Sequence, residues 1–95
     1  MLETKQLKIL LTVVETGGFT RAGQRLGLSQ PAISQQIRVL ERSLGVELLL
    51  RSGGQVRPTP AGEVLLECAR HVLERLDDVA RFLGDHSDGI AGVMR

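Results

Sequence analysis

The chain has 95 residues, of which 42% are hydrophobic and 24% charged, with a formal net charge of +1. Those values describe a globular chain with room for a single small domain. No apolar run approaches the roughly eighteen residues of a membrane span, and Glu and Lys are scattered through the start of the chain, so the expectation is a cytoplasmic protein with neither a membrane segment nor a signal peptide.

Cys68 is the single cysteine and has no internal disulfide partner; with only His71 and His86 beside it, the ligand set for structural zinc is incomplete and no metal is expected. No Ser/His/Asp set, glycine-rich phosphate loop or carboxylate pair stands in a catalytic context, so neither an enzyme nor a cofactor is expected. The charge is unevenly spread: residues 1–60 carry eight Lys and Arg against four Glu, and residues 61–95 carry four Arg against seven acids. A basic head before an acidic tail suits a partner that is a polyanion.

From Thr4 to Thr16, Leu7, Leu10, Leu11 and Val14 recur at helical spacing, which predicts an amphipathic helix. Gly17 and Gly18 stop it. Phe19 follows as a core anchor, with Thr20 as the N-cap of a short helix that runs to about Leu26 and ends at Gly27. A third helix starts at once. Ser29 is its cap, Leu28 and Ile33 are spaced as a hydrophobic staple, and Pro31 is tolerated because the first turn has backbone N–H groups without intrahelical partners. Ile33, Ile37, Leu40 and Leu44 form its apolar face, and Gly45 closes it.

Beyond Val46 the period changes. Val46, Leu48 and Leu50 alternate with Glu47, Leu49 and Arg51, and "RSGGQVR" sets Ser-Gly-Gly between two short extended runs, which predicts a small β-hairpin. In "TPAGE", Thr59 is an N-cap, Pro60 the first helical residue and Glu63 a first-turn acid, so a fourth helix is predicted to about Leu83. Along it Leu65, Ala69, Val72, Leu76, Val79 and Leu83 step by four and three, the spacing of a coiled-coil seam. The favoured reading is that this helix packs against a partner helix, because the preceding domain offers little core to cover so long an element; packing on its own domain is the alternative. Cys68, beside the seam, reads as a small buried hydrophobe and not a redox sensor. From Gly84 onward "GDHSDGIAGVMR" is polar and glycine-rich, as a linker or hinge would be.

The third helix raises a question, because its outward positions Gln30, Pro31, Ser34, Gln35 and Arg38 are mostly neutral hydrogen-bonding residues. No carboxylate occurs from Ser29 to Leu40. Two helices joined by the tight "LGLS" turn form a helix-turn-helix, and the hairpin after them is a wing. The fold class is therefore mainly α: a winged helix-turn-helix of three helices plus a two-stranded β wing, followed by a long linker helix. In such a unit the second helix of the motif enters the DNA major groove. Gln pairs with adenine, Ser with several base edges, Arg with guanine or phosphate, and Pro offers apolar contact to a thymine methyl.

Through "LKILLTVVETGGFTRAGQRLGLSQPAISQQIRVLERSLGVELLLR" and "VRPTPAGEVLL", the chain resembles the N-terminal domain of LysR-type transcriptional regulators over residues 2–83. The resemblance implies a DNA-binding domain at 1–58, a linker and dimerisation helix at 59–84 and a hinge at 85–95 toward a ligand-sensing domain. It implies double-stranded DNA and a second copy of the chain as partners, a tetramer being known among relatives, with any small-molecule effector held by that further domain. The setting it implies is the bacterial cytoplasm and nucleoid. On this reading Gln30, Pro31, Ser34, Gln35 and Arg38 meet base edges at an interrupted inverted repeat, while Thr20, Arg21, Ser29, Arg51, Ser52 and Arg57 meet the DNA backbone. Arg25 and Arg42 read as surface or internal ion-pair residues. Two positions depart from the family pattern: Gly23 stands where a second Ala commonly follows Ala22, and Leu49 where an aromatic residue is frequent. The glycine is expected to weaken its helix by up to about 1 kcal/mol relative to Ala. Rival readings are a winged helix protein of another family, such as a MarR-like regulator, and a helix-turn-helix used to bind protein.

Overall fold

In a computed structural model, which describes residues 2–85, the elements follow one another as α1 (Thr4–Thr16), α2 (Phe19–Leu26), α3 (Gln30–Leu44), β1 (Leu49–Ser52), β2 (Gln55–Pro58) and α4 (Pro60–Asp85). Residues 86–95, which hold nearly all of the expected hinge and His86, lie outside the described residues. Three helices, a two-stranded antiparallel sheet and a long fourth helix match the expected fold class.

The start of α1 is fixed by Gln6, whose side-chain oxygen accepts the Glu3 N–H at 3.1 Å. Its inner face contributes Leu7, Ile9, Leu10 and Val13 to the core, with Leu11 and Val14 packed at the margin. Helix α2 begins two residues earlier than expected. Its N-cap is Gly18, in extended conformation, so Thr20 lies inside the first turn and caps nothing. Because the cap has no side chain, the first-turn N–H groups of α2 receive no side-chain acceptor.

Gly23 has a role that helix propensity does not reveal. An added Cβ would lie 2.4 Å from the Leu28 carbonyl oxygen, while the Leu28 N–H donates to the Gly23 carbonyl at 2.9 Å. The glycine lets the turn close directly on α2, so the expected loss of helix stability is accompanied by a close approach that a methyl group obstructs. Ser29 then caps α3 by accepting the Ala32 N–H at 3.2 Å. Ile33, Ile37 and Leu40 are buried, but Leu44, expected on the same face, is exposed because the last turn of α3 runs past the core.

The wing pairs Leu49 with Pro58, Leu50 with Arg57, Arg51 with Val56 and Ser52 with Gln55 around a two-residue Gly53-Gly54 turn. Both glycines have positive φ, 57° and 77°, as the tight hairpin turns that match strand twist require. The expected alternation of Val46, Leu48 and Leu50 does not hold: Leu48 and Leu49 are both buried, while Val46 and Leu50 are exposed. The reason is that Leu48 precedes the strand and is held from both sides. Its N–H donates to the Glu41 carboxylate at 2.7 Å, and its carbonyl accepts the Thr59 N–H at 2.9 Å.

Thr59 joins the wing to α4. Its hydroxyl donates to the Glu47 carbonyl at 2.6 Å and accepts the Gly62 N–H at 2.9 Å, so the predicted N-cap is present and buried. Leu66 and Ala69 seat the first half of α4 on the body of the domain, with Leu65 packed beside them. Cys68 is exposed, contrary to expectation, because it lies about 100° around the helix from Ala69.

Candidate nucleic-acid interface

One side of the molecule collects the outward residues of α3, the N-terminus of α2 and the wing. Gln30, Pro31, Gln35 and Arg38 are exposed on α3, with Ser34 half-buried between them. Burial of Ile33, Ile37 and Leu40 on the opposite side fixes the rotation of the helix and thereby aims this polar face outward. Val39 is exposed too, at the position four beyond Gln35. It lies off the apolar face of Ile33, Ile37 and Leu40, about 100° around the helix from Leu40.

Beside α3 is a cleft whose walls include Phe19, Thr20 and Arg21 from α2, Gln30 from α3, and Arg51 and Arg57 from the wing. None of its lining residues is acidic. Among the described residues the ion pairs are Arg25 with Glu15, His71 with Glu67 and Arg81 with Asp78, so Arg21, Arg38, Arg51 and Arg57 are not engaged by internal carboxylates. Arg25 makes the internal pair expected of it, and Arg42 is exposed in the last turn of α3. Unneutralised guanidinium groups around the N-terminus of a helix give this side a positive field suited to anionic oxygen.

The two wing arginines are held differently. Arg51 lies opposite Val56 in the register and therefore shares the inward face of the hairpin with Leu49, Val56 and Pro58. Its guanidinium stands 4.2 Å above the centroid of the Phe19 ring, and its Nη2 donates to Ser34 Oγ at 3.4 Å. Arg57 shares the outer face with Leu50, Ser52 and Gln55, and donates to Gln55 Oε1 at 3.4 Å. Ser52 is exposed there and does not line the cleft; Ser29 is occupied as the α3 cap. The structure thus gathers Thr20, Arg21, Gln30, Arg51 and Arg57 around one cleft and leaves Ser29 and Ser52 outside it. Phe19, which the sequence suggests only as a core anchor, stands in the middle of this arrangement.

The seam along α4 divides in two. Ala69 is 0% exposed and Leu65 half-buried, both covered by their own domain, which removes them from a surface open to a partner. Val72 and Leu83 are half-buried, whereas Leu76 and Val79 are 48% and 54% exposed. Among the described residues no group of three or more His, Cys, Asp or Glu is placed to hold a metal ion, and no helix is long and apolar enough to cross a membrane.

Three helices, with a hairpin following the second helix of a helix-turn-helix, place the chain in the winged helix-turn-helix class. Residues 4–63 match the family described as bacterial regulatory helix-turn-helix protein, lysR family. The chain belongs to that family. It is 41% identical over 91 residues to an uncharacterized HTH-type transcriptional regulator in the ibpB-leuC intergenic region of Azotobacter vinelandii, covering 96% of this chain and 63% of the relative. It is 44% identical over 94 residues to the HTH-type transcriptional regulator TfdT of Cupriavidus pinatubonensis, covering 99% of this chain and 41% of the relative. The chain thus spans less than two thirds of either relative. Among solved structures, the BenM DBD in complex with catB site 1 DNA aligns with a TM-score of 0.87 at 33% identity, over 93% of this chain and 99% of that one. The CbnR DBD in a DNA complex aligns with a TM-score of 0.77 at 42% identity, over 95% and 99%.

Proposed function

We propose that this chain is the sequence-specific, double-stranded-DNA-binding part of a LysR-type transcription regulator, acting in the bacterial cytoplasm at the nucleoid. Helix α3 enters the major groove, where Gln30, Pro31, Ser34, Gln35 and Arg38 meet base edges. Thr20, Arg21, Arg51 and Arg57 take backbone phosphates, with Ser29 and Ser52 at the margin of that footprint. The observation that carries the reading is the carboxylate-free outward face of α3 beside a cleft with three arginines and no acid. Two copies pair through the second half of the α4 seam, the half-buried Val72 and Leu83 and the exposed Leu76 and Val79, and read an interrupted inverted repeat with matching two-fold symmetry.

Selection of bound sequences from a random duplex pool at low salt tests this directly, since low salt preserves the phosphate contacts that bring any duplex to the surface. The expected result is enrichment of an inverted repeat. Folded protein that enriches no sequence overturns the base-reading assignment, and binding that is insensitive to salt overturns the phosphate contacts.

A further inference from the structure

We infer that Phe19 is a positioning residue for DNA-backbone binding: its buried ring is the platform that holds the Arg51 guanidinium at the cleft, ready to receive a phosphate. The inference deepens the DNA-binding reading and rests on it.

Phe19 is only 8% exposed and packs in the core, so its ring is a fixed surface. Arg51, by contrast, is exposed on β1 and has no carboxylate partner among the described ion pairs. A free arginine there would sample many rotamers, and ordering it on binding would cost affinity. The 4.2 Å separation from the ring centroid is well inside the roughly 6 Å range of cation–π attraction. Stacking occupies the flat face of the guanidinium and leaves its in-plane N–H donors for other partners. One of those donors meets Ser34 in a long 3.4 Å contact. The others retain the fork geometry that suits a phosphate.

The place of the ring adds a second attraction for a phosphate, though not for Arg51 itself. Phe19 is the first residue of α2, directly after a glycine cap that gives no side-chain acceptor to the first-turn N–H groups. The same residue therefore brings the charge of Arg51 to the positive end of a helix, with Thr20 and Arg21 lining the same cleft. The contact to Ser34 links this arrangement to the α3 face proposed to read bases, so Arg51 stands where α2, α3 and the wing meet.

The test is a double-mutant cycle on Phe19→Leu and Arg51→Ala, measuring Kd for the selected duplex and for a scrambled one. Phe19→Leu is expected to weaken both duplexes alike by about three- to tenfold, the range of a partly exposed cation–π contact. In the Arg51→Ala background the same substitution is expected to have no further effect. Equal losses in both backgrounds overturn the inference, because Phe19 then acts through packing alone. Arg51→Lys leaves the core intact and is read alongside the cycle, so the test does not depend on the Leu variant folding. Lysine keeps the charge but not the flat stacking group, and is expected to lose several-fold; a Lys variant that binds as tightly as the parent also overturns the inference. Absence of salt-sensitive binding by the parent chain is a separate outcome that removes the DNA reading itself, and this inference with it.

Discussion

The Glu41 carboxylate on α3 accepts the Leu48 N–H at 2.7 Å and the Leu49 N–H at 3.3 Å, which ties the far end of the helix to the entry of the wing. Leu48 is buried, so its N–H has no ready access to water if the carboxylate is removed. Glu41→Ala is expected to lower stability by about 1–3 kcal/mol, the cost of leaving a buried donor without its acceptor. Denaturant unfolding measures the loss, and amide exchange at Leu48 and Leu49 locates it. Unchanged stability with unchanged exchange would show that the contact bears no load.

Gly62 closes the opposite edge of the same junction. A Cβ at Gly62 would approach the Leu48 carbonyl oxygen to 2.1 Å and the Pro58 Cβ to 3.3 Å. Backbone cannot yield there cheaply, because the Leu48 carbonyl is also held by the Thr59 N–H. Gly62→Ala brings about 1 kcal/mol of better helix propensity. Overpacking against a fixed backbone costs about 1–3 kcal/mol or more, so a net loss of stability is expected. A higher melting temperature for the Ala variant would mean that α4 can move away from the wing without penalty.

These junctions explain what the sequence does and does not reveal. Helix limits are legible because their causes are local: Ser29 and Thr59 cap within three residues of themselves. The start of α2 is less so, since Thr20 is a good cap by type but Gly18 occupies the position. Alternation misleads in the wing because Leu48 is held by groups before and after it, Glu41 and Thr59, and not by a strand partner. The polar face of α3 is visible as a run without carboxylates. The stacking of Arg51 on Phe19 is not visible, since it joins residues far apart in the chain through the packing of the wing on α2. Periodicity along α4 shows an apolar stripe but not what covers it, and so groups Ala69 with Val79.

For the proposed reading face, Gln35 offers a clean test because it is exposed and makes no side-chain hydrogen bond to the described residues that would confound stability with recognition. Gln35→Ala is expected to leave the melting temperature nearly unchanged and to alter preference at one position of each half-site. The expected discrimination lost is about 1–3 kcal/mol for a bidentate contact to adenine. Selection from the same random pool measures it. An identical enriched sequence from the variant would take Gln35 off the list of base readers.

Arg51→Ala should act on the other term of recognition, weakening selected and scrambled duplexes alike. A lost phosphate contact also lowers the slope of log affinity against log salt by about 0.9. Titrations at several salt concentrations measure both quantities. A changed sequence preference with an unchanged slope would move Arg51 from the backbone to the bases.

The divided seam predicts opposite outcomes for two aspartates on one helix. Ala69 is enclosed by its own domain, so Ala69→Asp buries an unpaired carboxylate and is expected to unfold or severely destabilise the chain. Val79 is 54% exposed and lies beyond the part of α4 anchored by Leu66 and Ala69, so Val79→Asp should leave the domain folded. If two copies pair across Leu76 and Val79, that substitution places charge in the apolar contact and shifts sedimentation from dimer to monomer at micromolar concentration. A folded Val79→Asp variant that remains dimeric would move the interface away from this stripe. Loss of the dimer together with weaker binding to the inverted repeat, but not to a single half-site, would connect the α4 contact to recognition of the paired sites.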